Sequence, residues 1–440
     1  MKPIKWTLLL TFLLLAGSVQ AENYDLAAFI ELVKKNSDDL KLAAKELEMA
    51  AAQKREAWAT ALPKISAEGN YRRNLLETYL YVDFPTADGS LVRQKFKITK
   101  NNEYTFTAAL LQPIFSFKVG TALRAAKQYE RMSQFIFQAS DQEILTFAKK
   151  GFYQALLLKR VWQLKEETVK NARENYNMVK KQYQAGLASE FQLYQAEVRW
   201  KNSIPEAQQA RKNYELLLYN LKTLAGLALE AQVDFVGNLE KVPPMPEPLS
   251  FDRIIENRPD YKAQLWEQKL RRTAVAAAKG EFLPTVDGTF AYAFSAQSDL
   301  WKLENKNNNF ILGLKLSIPI FLGGYNIAQV QKAKIELDKS RLRLQKARKQ
   351  IATELKSIYL RLDEAQKSIK AAESALQTAE KGFQIAQTSA QNGLITQLEL
   401  KDARLQYDGA RLNWYLAVYN YLDAYFDWQK AVGKVDELVE

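Results

Sequence analysis

The sequence predicts a fold that combines very long antiparallel helices with four membrane-type β-strands per chain, arranged as two internal repeats. Three observations predict it. The same order of motifs occurs twice, apolar and polar residues alternate in two strand pairs, and a heptad pattern runs through one of the longest segments. The 440 residues are 25% charged and 47% hydrophobic, which is too polar for a bundle of membrane helices and ample for one or two domains.

Residues 1–21 have the pattern of a secretory signal peptide. Lys2 and Lys5 precede an apolar run at 7–16, and small residues before Glu22 supply a cleavage site. The apolar run is shorter than the roughly 20 residues that a membrane anchor, the alternative, would need. Charged residues interrupt every later long stretch, so we expect an exported chain that crosses a membrane, if at all, as strands.

Composition excludes several kinds of chemistry. With 0 Cys and 0 His, the chain has no disulfide, no thiolate or imidazole metal ligand, no Ser-His-Asp triad and no lipid-anchoring cysteine. We therefore predict no catalytic residue, metal site or cofactor. The formal charge of +12, or +10 without Lys2 and Lys5, is interleaved with acids. This pattern favours solvated helix faces and no nucleic-acid partner.

The two repeats share sequence landmarks, each pair separated by a similar number of residues. The matched landmarks are Leu62-Pro63 with Leu283-Pro284 at 221, Pro113 with Pro319 at 206, and Gly186-Leu187 with Gly393-Leu394 at 207. The fall from 221 to 206 predicts a 15-residue insertion, in a loop, in the first copy. We expect repeats at 22–240 and 251–440, joined by a Pro-rich linker at 241–250.

Each repeat is expected to begin with a helix and continue as a strand pair. Residues 24–61 and 251–282 read as single helices that end at the Leu-Pro pairs. Strand hairpins follow at about 65–114 and 285–318. In the first hairpin the strands are expected at 65–82 and 103–114, and in the second the apolar residues fall on one face. Pro113 and Pro319 mark the return from strand to helix.

A heptad seam dominates the second long helix. Its members step by four and three: Ile351, Leu355, Ile358, Leu362, Ala365, Ile369, Ala372, Leu376, Ala379, Phe383, Ala386 and Ala390. The run 326–391 would extend roughly 100 Å, and 121–185 is its counterpart. Gly186 and Gly393 suit the left-handed conformation after a helix end, and Ser189 and Thr396 are placed to cap the returning helices.

Four strands cannot close a membrane barrel, which needs about eight or more. Closure therefore requires several chains. Two copies would give eight strands and three would give twelve, and the repeat pattern alone does not choose between them.

One order of elements occurs twice after the leader: helix, Leu-Pro, strand hairpin, Pro-Ile-Phe, long helix, Gly-Leu turn and helix. This duplicated order resembles that of the TolC-like outer-membrane efflux proteins of Gram-negative bacteria. The resemblance covers essentially the whole mature chain. It implies a homotrimer with a shared twelve-stranded barrel in outer-membrane lipid and a periplasmic α-barrel. It also implies passive export in a tripartite efflux or type I secretion system. The implied partners are a periplasmic membrane-fusion adaptor and an inner-membrane RND, ABC or MFS transporter.

The resemblance also implies functional positions. The hairpin tips at Gly186, Leu187, Gly393 and Leu394 match the adaptor-docking and entrance turns of the family. Glu399 and Asp402 match an acidic pair that lines the entrance and favours cations, although acids at a helix start are also expected for the helix dipole alone. Some members gate the entrance with residues that are replaced here by Ala390, Ile395 and Gln192, so Gln192, Gln195 and Glu197 are candidates to serve instead.

The outer loops carry the cations Arg93, Lys95, Lys97 and Lys100, which we expect to meet anionic lipopolysaccharide.

Two other functions are alternatives to export. A soluble periplasmic coiled-coil adaptor or scaffold would explain the heptads but would leave four strands with an apolar face and no lipid. A secreted enzyme would have only paired carboxylates for acid–base chemistry, and these lie on repetitive helix surfaces. The pattern does not distinguish drug or metal efflux from protein secretion.

Overall fold

The computed structural model describes residues 22–437, so the predicted signal peptide lies outside the described residues. The strands in chain order are β1 (Glu22–Tyr24), β2 (Lys64–Arg73), β3 (Tyr79–Pro85), β4 (Leu91–Lys97), β5 (Asn102–Phe115), β6 (Val233–Phe235), β7 (Thr285–Ser298) and β8 (Asn307–Ser317). The helices are α1 (Leu26–Asn36), α2 (Asp38–Ala59), α3 (Phe117–Gln184), α4 (Glu190–Leu224), α5 (Phe251–Asn257), α6 (Pro259–Gly280), α7 (Tyr325–Gln391) and α8 (Gln397–Val432). No helix within the described range is both long enough and apolar enough to cross a bilayer.

The chain divides into two compact units. The strand unit comprises Lys45–Phe137 and Pro259–Arg348. The helical unit comprises residues 22–44, 138–258 and 349–437.

In the strand unit, β2, β5, β7 and β8 form one antiparallel sheet in that order. The register places the apolar residues of neighbouring strands on one face: Ile65, Phe106, Leu110, Phe290, Tyr292, Phe294, Phe310, Leu312, Leu314 and Leu316. Lys64, Glu68, Arg72, Glu103, Thr107 and Lys315 lie on the other face. The predicted alternation is therefore confirmed, and the register shifts at Pro113, which cannot donate a ladder hydrogen bond.

The first strand pair differs from its prediction. The strand that begins at Lys64 ends at Arg73 and not at 82, because residues 79–97 form a separate antiparallel hairpin, β3–β4. The connection between the sheet strands therefore covers 74–101 in the first half and only 299–306 in the second. The insertion expected between the Leu-Pro and Pro-Ile-Phe landmarks is accommodated in this longer connection.

The prediction of one helix at 24–61 and one at 251–282 was wrong, because each region contains two helices. Ser37 and Arg258 leave the helical conformation, with ψ of 124° and 117°. Pro259 disfavours the helical conformation in the residue before it. The acids Asp38, Asp39 and Asp260 lie in the first turns of the helices that restart, where the helix dipole favours negative charge.

The long helices are confirmed. The second one spans 67 residues against the 66 predicted, and its counterpart spans 68. In the helical unit, the first five seam residues from Ile351 to Ala365 are buried, and the members from Ile369 to Ala390 are half-buried. The seam therefore packs most tightly at its start and more loosely toward the hairpin tip.

The core of the helical unit gathers residues from α1, α3, α4 and α8. Phe29, Phe152 and Phe235 form a cluster with ring centroids 4.9–6.2 Å apart. Phe235 belongs to β6, which pairs in parallel with β1. The sequence did not predict this pairing, because its two three-residue strands are about two hundred residues apart.

Candidate functional site: the helix-hairpin tips

The two hairpin tips are built in the same way. Gly186 and Gly393 have φ of 74° and 69°, so the predicted left-handed conformation is confirmed. The amide of Leu187 donates to the carbonyl of Gln182 at 2.7 Å, and that of Leu394 donates to Ser389 at 2.9 Å. These bonds satisfy carbonyls that the helix end would leave unpaired. They also turn both leucines into solvent, where Leu187 is 81% exposed and Leu394 is 75% exposed.

The helices that return from the tips begin with capping boxes. The Ser189 hydroxyl accepts from the Gln192 amide, and the Gln192 side-chain oxygen accepts from the Ser189 amide at 2.8 Å. Thr396 and Glu399 repeat this arrangement, with the Thr396 amide donating to the Glu399 carboxylate at 2.7 Å. The predicted N-caps are confirmed.

The capping boxes show what two of the predicted entrance residues do within the chain. Gln192 and Glu399 are the third residues of their helices and bind their own N-caps. Hydrogen bonds from the backbone and hydroxyl of Thr396 lower the pKa of Glu399, so this exposed carboxyl is ionised at neutral pH. Glu399 therefore lies at a helix start, where the helix dipole favours negative charge. This position agrees with the dipole interpretation given in the sequence analysis.

Asp402 lies one turn after Glu399 on α8 and is exposed, so the two acids share a helix face. Gln195 is also exposed, whereas Glu197 forms an ion pair with Lys201 at 2.6 Å. Ala390 and Ile395, which the sequence analysis placed at gate positions, supply no polar side-chain group.

A cavity of about 360 Å³ lies between the first tip and the start of α8. Gln192 and Gln195 line it together with Leu187, Arg199, Leu398 and Lys401. Burial and the nearby Arg199 lower the pKa of Lys401. The structure thus brings the predicted glutamines together beside two basic side chains, while Glu399 and Asp402 are not among the lining residues of this cavity.

An ion-pair cluster that the sequence analysis missed joins α3 to α8. Arg404 contacts Glu167 and Asp408, each at 3.2 Å, and its guanidinium lies 5.2 Å from the Phe383 ring. Burial raises the pKa of Asp408, and Arg404 opposes that shift. The four-residue spacing of Arg404 and Asp408 along one helix could have predicted their ion pair. The contact to Glu167 could not have been predicted, because it depends on the register of two distant helices.

The helix-to-strand transitions lie where the sequence placed them. Leu62 and Pro63 precede the first strand of the sheet, and Leu283 and Pro284 precede its third. Pro113 lies near the end of its strand, and Pro319 lies between β8 and α7. Among residues 22–437, no group of three or more acidic side chains is arranged to hold a metal ion.

Comparison of the sequence with known families identifies the class of protein. The profile described as outer membrane efflux protein matches residues 29–227 and 251–434. The chain therefore belongs to the outer membrane efflux protein family.

Curated relatives include the alkaline protease secretion protein AprF of Pseudomonas aeruginosa, which is 23% identical over 240 residues, covering 53% of this chain and 49% of the relative. The probable efflux pump outer membrane protein TtgC of Pseudomonas putida is 23% identical over 307 residues, covering 69% and 61%. The chain thus spans about half to three-fifths of the length of these relatives. The crystal structure of the Campylobacter jejuni CmeC outer membrane channel has the same fold, with a TM-score of 0.79 at 21% identity, covering 94% of this chain and 87% of that one.

Proposed function

We propose that the chain forms the outer-membrane exit duct of a tripartite efflux or type I secretion system and conducts its cargo passively. One observation carries this proposal. The four-stranded sheet has one apolar face, and within residues 22–437 its outer strands β2 and β8 each pair on one side only. Exposed backbone edges and an apolar face are both unfavourable in water.

Closure by other copies would satisfy both features. Three copies would give twelve strands, within the range of membrane barrels, whereas one copy cannot close. Phe310, Leu312 and Leu314 are 68%, 85% and 77% exposed on one face of β8, as a lipid-facing surface requires. We place this homotrimeric barrel in the outer membrane of a Gram-negative bacterium and the long helices, as an α-barrel, in the periplasm. Family membership supports this placement.

The equivalent order of elements on both sides of residues 241–250 supports an origin by internal duplication. Matched elements have matched details: two helices of which the second has 22 residues, two antiparallel sheet strands, a helix of 68 or 67 residues, and a capped return helix. Both tips therefore present the same kind of surface.

We assign adaptor docking to the tips at Gly186, Leu187, Gly393 and Leu394. Exposed leucines on hydrogen-bonded turns are suited to packing against the helices of a periplasmic adaptor, which would in turn bind an inner-membrane RND, ABC or MFS transporter. The relatives include one named for protease secretion and one named for an efflux pump. Both cargo classes therefore fit the family.

Single-channel recording in planar bilayers tests the duct. Purified protein in detergent should insert and give small, discrete conductance steps. A folded oligomer that never inserts would contradict the duct and favour the alternative of a soluble periplasmic coiled-coil scaffold.

Ion selectivity tests whether Glu399 and Asp402 form an acidic ring at the entrance. Three copies would bring six carboxylates together and favour cations. The informative variant is Glu399→Gln with Asp402→Asn, because glutamine retains the capping box, as Gln192 does in the first hairpin. Loss of cation selectivity with unchanged stability would support the ring, and unchanged selectivity would restrict Glu399 to its capping role.

A further inference from the structure

The β3–β4 hairpin has two chemically different faces. Its register places one set of side chains together, which we call the apolar hairpin face: Leu80, Val82, Phe84, Val92, Gln94 and Phe96. Phe84 and Phe96 meet edge to face, with ring centroids 6.0 Å apart. Within the chain this face is uncovered, since Leu80 is 51%, Phe84 42% and Phe96 44% exposed. A two-stranded hairpin with an uncovered apolar face is marginally stable in water.

The opposite face carries ion pairs within the hairpin and from the hairpin to the rest of the strand unit. Arg93 binds Asp83 through two hydrogen bonds of 2.8 and 3.0 Å. Lys97 contacts Glu77 at 2.8 Å and Asp299 at 3.1 Å. Because Asp299 belongs to the loop between β7 and β8, these contacts tie the hairpin to the sheet's other connection.

These contacts also change the expectation for the loop cations. Arg93, Lys97 and Lys100 are paired with carboxylates of the chain, and Lys95 lies 3.5 Å from the Tyr79 ring centroid. Residues 77–100 carry four basic and three acidic side chains, and Asp299 balances the difference. The hairpin is therefore nearly neutral, and several copies can approach one another without strong repulsion.

The hairpin lies beyond the length of strand that a bilayer needs. A membrane strand uses about 9–11 residues, and β2 has 10 before it ends at Arg73, next to the ion pair of Arg72 and Glu103. The chain enters the hairpin after that charged boundary, so hydrocarbon is not available to cover its apolar face.

The hairpin also begins at the free edge of the sheet. β2 is an outer strand, and in the proposed assembly its unpaired side is where the neighbouring copy binds. Strands spaced by about 4.8 Å and tilted by about 40° would give a twelve-stranded wall a radius of roughly 12 Å. A seven-residue strand extends about 23 Å, so each hairpin is long enough to reach the axis.

We propose that the apolar hairpin faces of neighbouring copies pack against one another and narrow the outer mouth of the duct. The inference rests on the proposed assembly of several copies. It adds a constriction to the acidic entrance ring proposed at the helix tips. Among residues 22–437, only the first half of the chain contains the hairpin that would form it.

Disulfide trapping tests the packing, since the chain has 0 Cys. Phe84→Cys places a thiol on the apolar hairpin face, and Leu80→Cys is a second variant on the same face. Tyr81→Cys is the matched control, because Tyr81 lies on the same strand, is 58% exposed and points to the opposite face. Oxidation should convert part of each apolar-face variant to a reducible dimer on denaturing gels and leave the control monomeric.

The same variants test in planar bilayers whether the hairpins narrow the outer mouth of the duct. Oxidation of Phe84→Cys channels should lower their conductance, and reduction should restore it. Conducting oligomers in which neither apolar-face variant crosslinks, or in which the control crosslinks equally, would overturn the hairpin packing and leave the duct intact. If lipid-borne quenchers quench a dye attached at position 84, lipid covers the apolar hairpin face and the proposed packing is overturned. Wild-type protein that neither assembles nor conducts would overturn both proposals.

Discussion

At the scale of single residues, the helix starts after the tips depend on a few hydrogen bonds. Thr396→Ala removes the hydroxyl that accepts from the Glu399 amide, and we expect a loss of about 1 kcal/mol in local helix stability. Amide hydrogen exchange in the first turn of α8 measures this loss. Thr388→Ala is the control, because that hydroxyl only bonds back to Gln384 inside a helix and its removal should cost nothing there.

The Glu399 cap should depend on pH. A carboxyl whose pKa is lowered by folding stabilises the folded state above its unfolded pKa, and that contribution is lost as pH falls through the folded value. Protection of the first turn of α8 should therefore decrease below about pH 4. Glu399→Gln should show no such decrease, and a wild-type helix start that is equally protected across this range would contradict the assignment.

Lys149 is a buried cation with an unusual environment. Its ammonium donates to the Gln429 side chain at 3.0 Å and to the Glu437 carbonyl at 2.6 Å, and burial lowers its pKa to about 8. Between that value and the usual 10.5, the unfolded chain binds more protons than the folded one, so stability should rise with pH. The full rise is on the order of 3 kcal/mol. Denaturant unfolding in detergent at pH 7 and pH 10 measures most of this rise, and Lys149→Met should lack it.

At the scale of elements, the glycines at helix ends differ in what an added Cβ would meet. Gly186→Ala should cost about 1–2 kcal/mol of unfolding free energy from backbone strain alone, since no atom lies within 4 Å. Gly226→Ala should cost more, because φ is 63° and the Cβ would lie 2.6 Å from the Asn36 carbonyl oxygen. Gly382→Ala, inside α7 with open space around it, should stabilise by about 0.5–1 kcal/mol. The reverse order in unfolding measurements would contradict these backbone assignments.

Elements governed by local pattern were predictable, and those governed by distant contacts were not. The heptad seam, the strand alternation, the helix caps and the left-handed glycines all follow from neighbouring residues. The β3–β4 hairpin was missed because the β-type residues before and after Asn74–Thr78 read as one strand. The break at Ser37 was missed because no proline marks it. The contact of Arg404 with Glu167 depends on how separate helices align.

At the scale of the whole molecule, we propose that the chain is one part of a larger wall. The apolar sheet face, the sheet edges that are unpaired within residues 22–437 and the exposed leucines at the tips are the features that the proposed partners would cover. No periodicity within one chain encodes how many copies assemble. Closure of the proposed barrel requires at least two copies, and the proposed number of three rests on the family resemblance.

Native mass spectrometry of the protein purified in detergent measures that number directly. We expect one dominant species with three times the mass of the chain, which would give twelve strands and six hairpin tips around one axis. A monomer, or a dimer with eight strands, from protein that retains its helical content would contradict the trimeric duct.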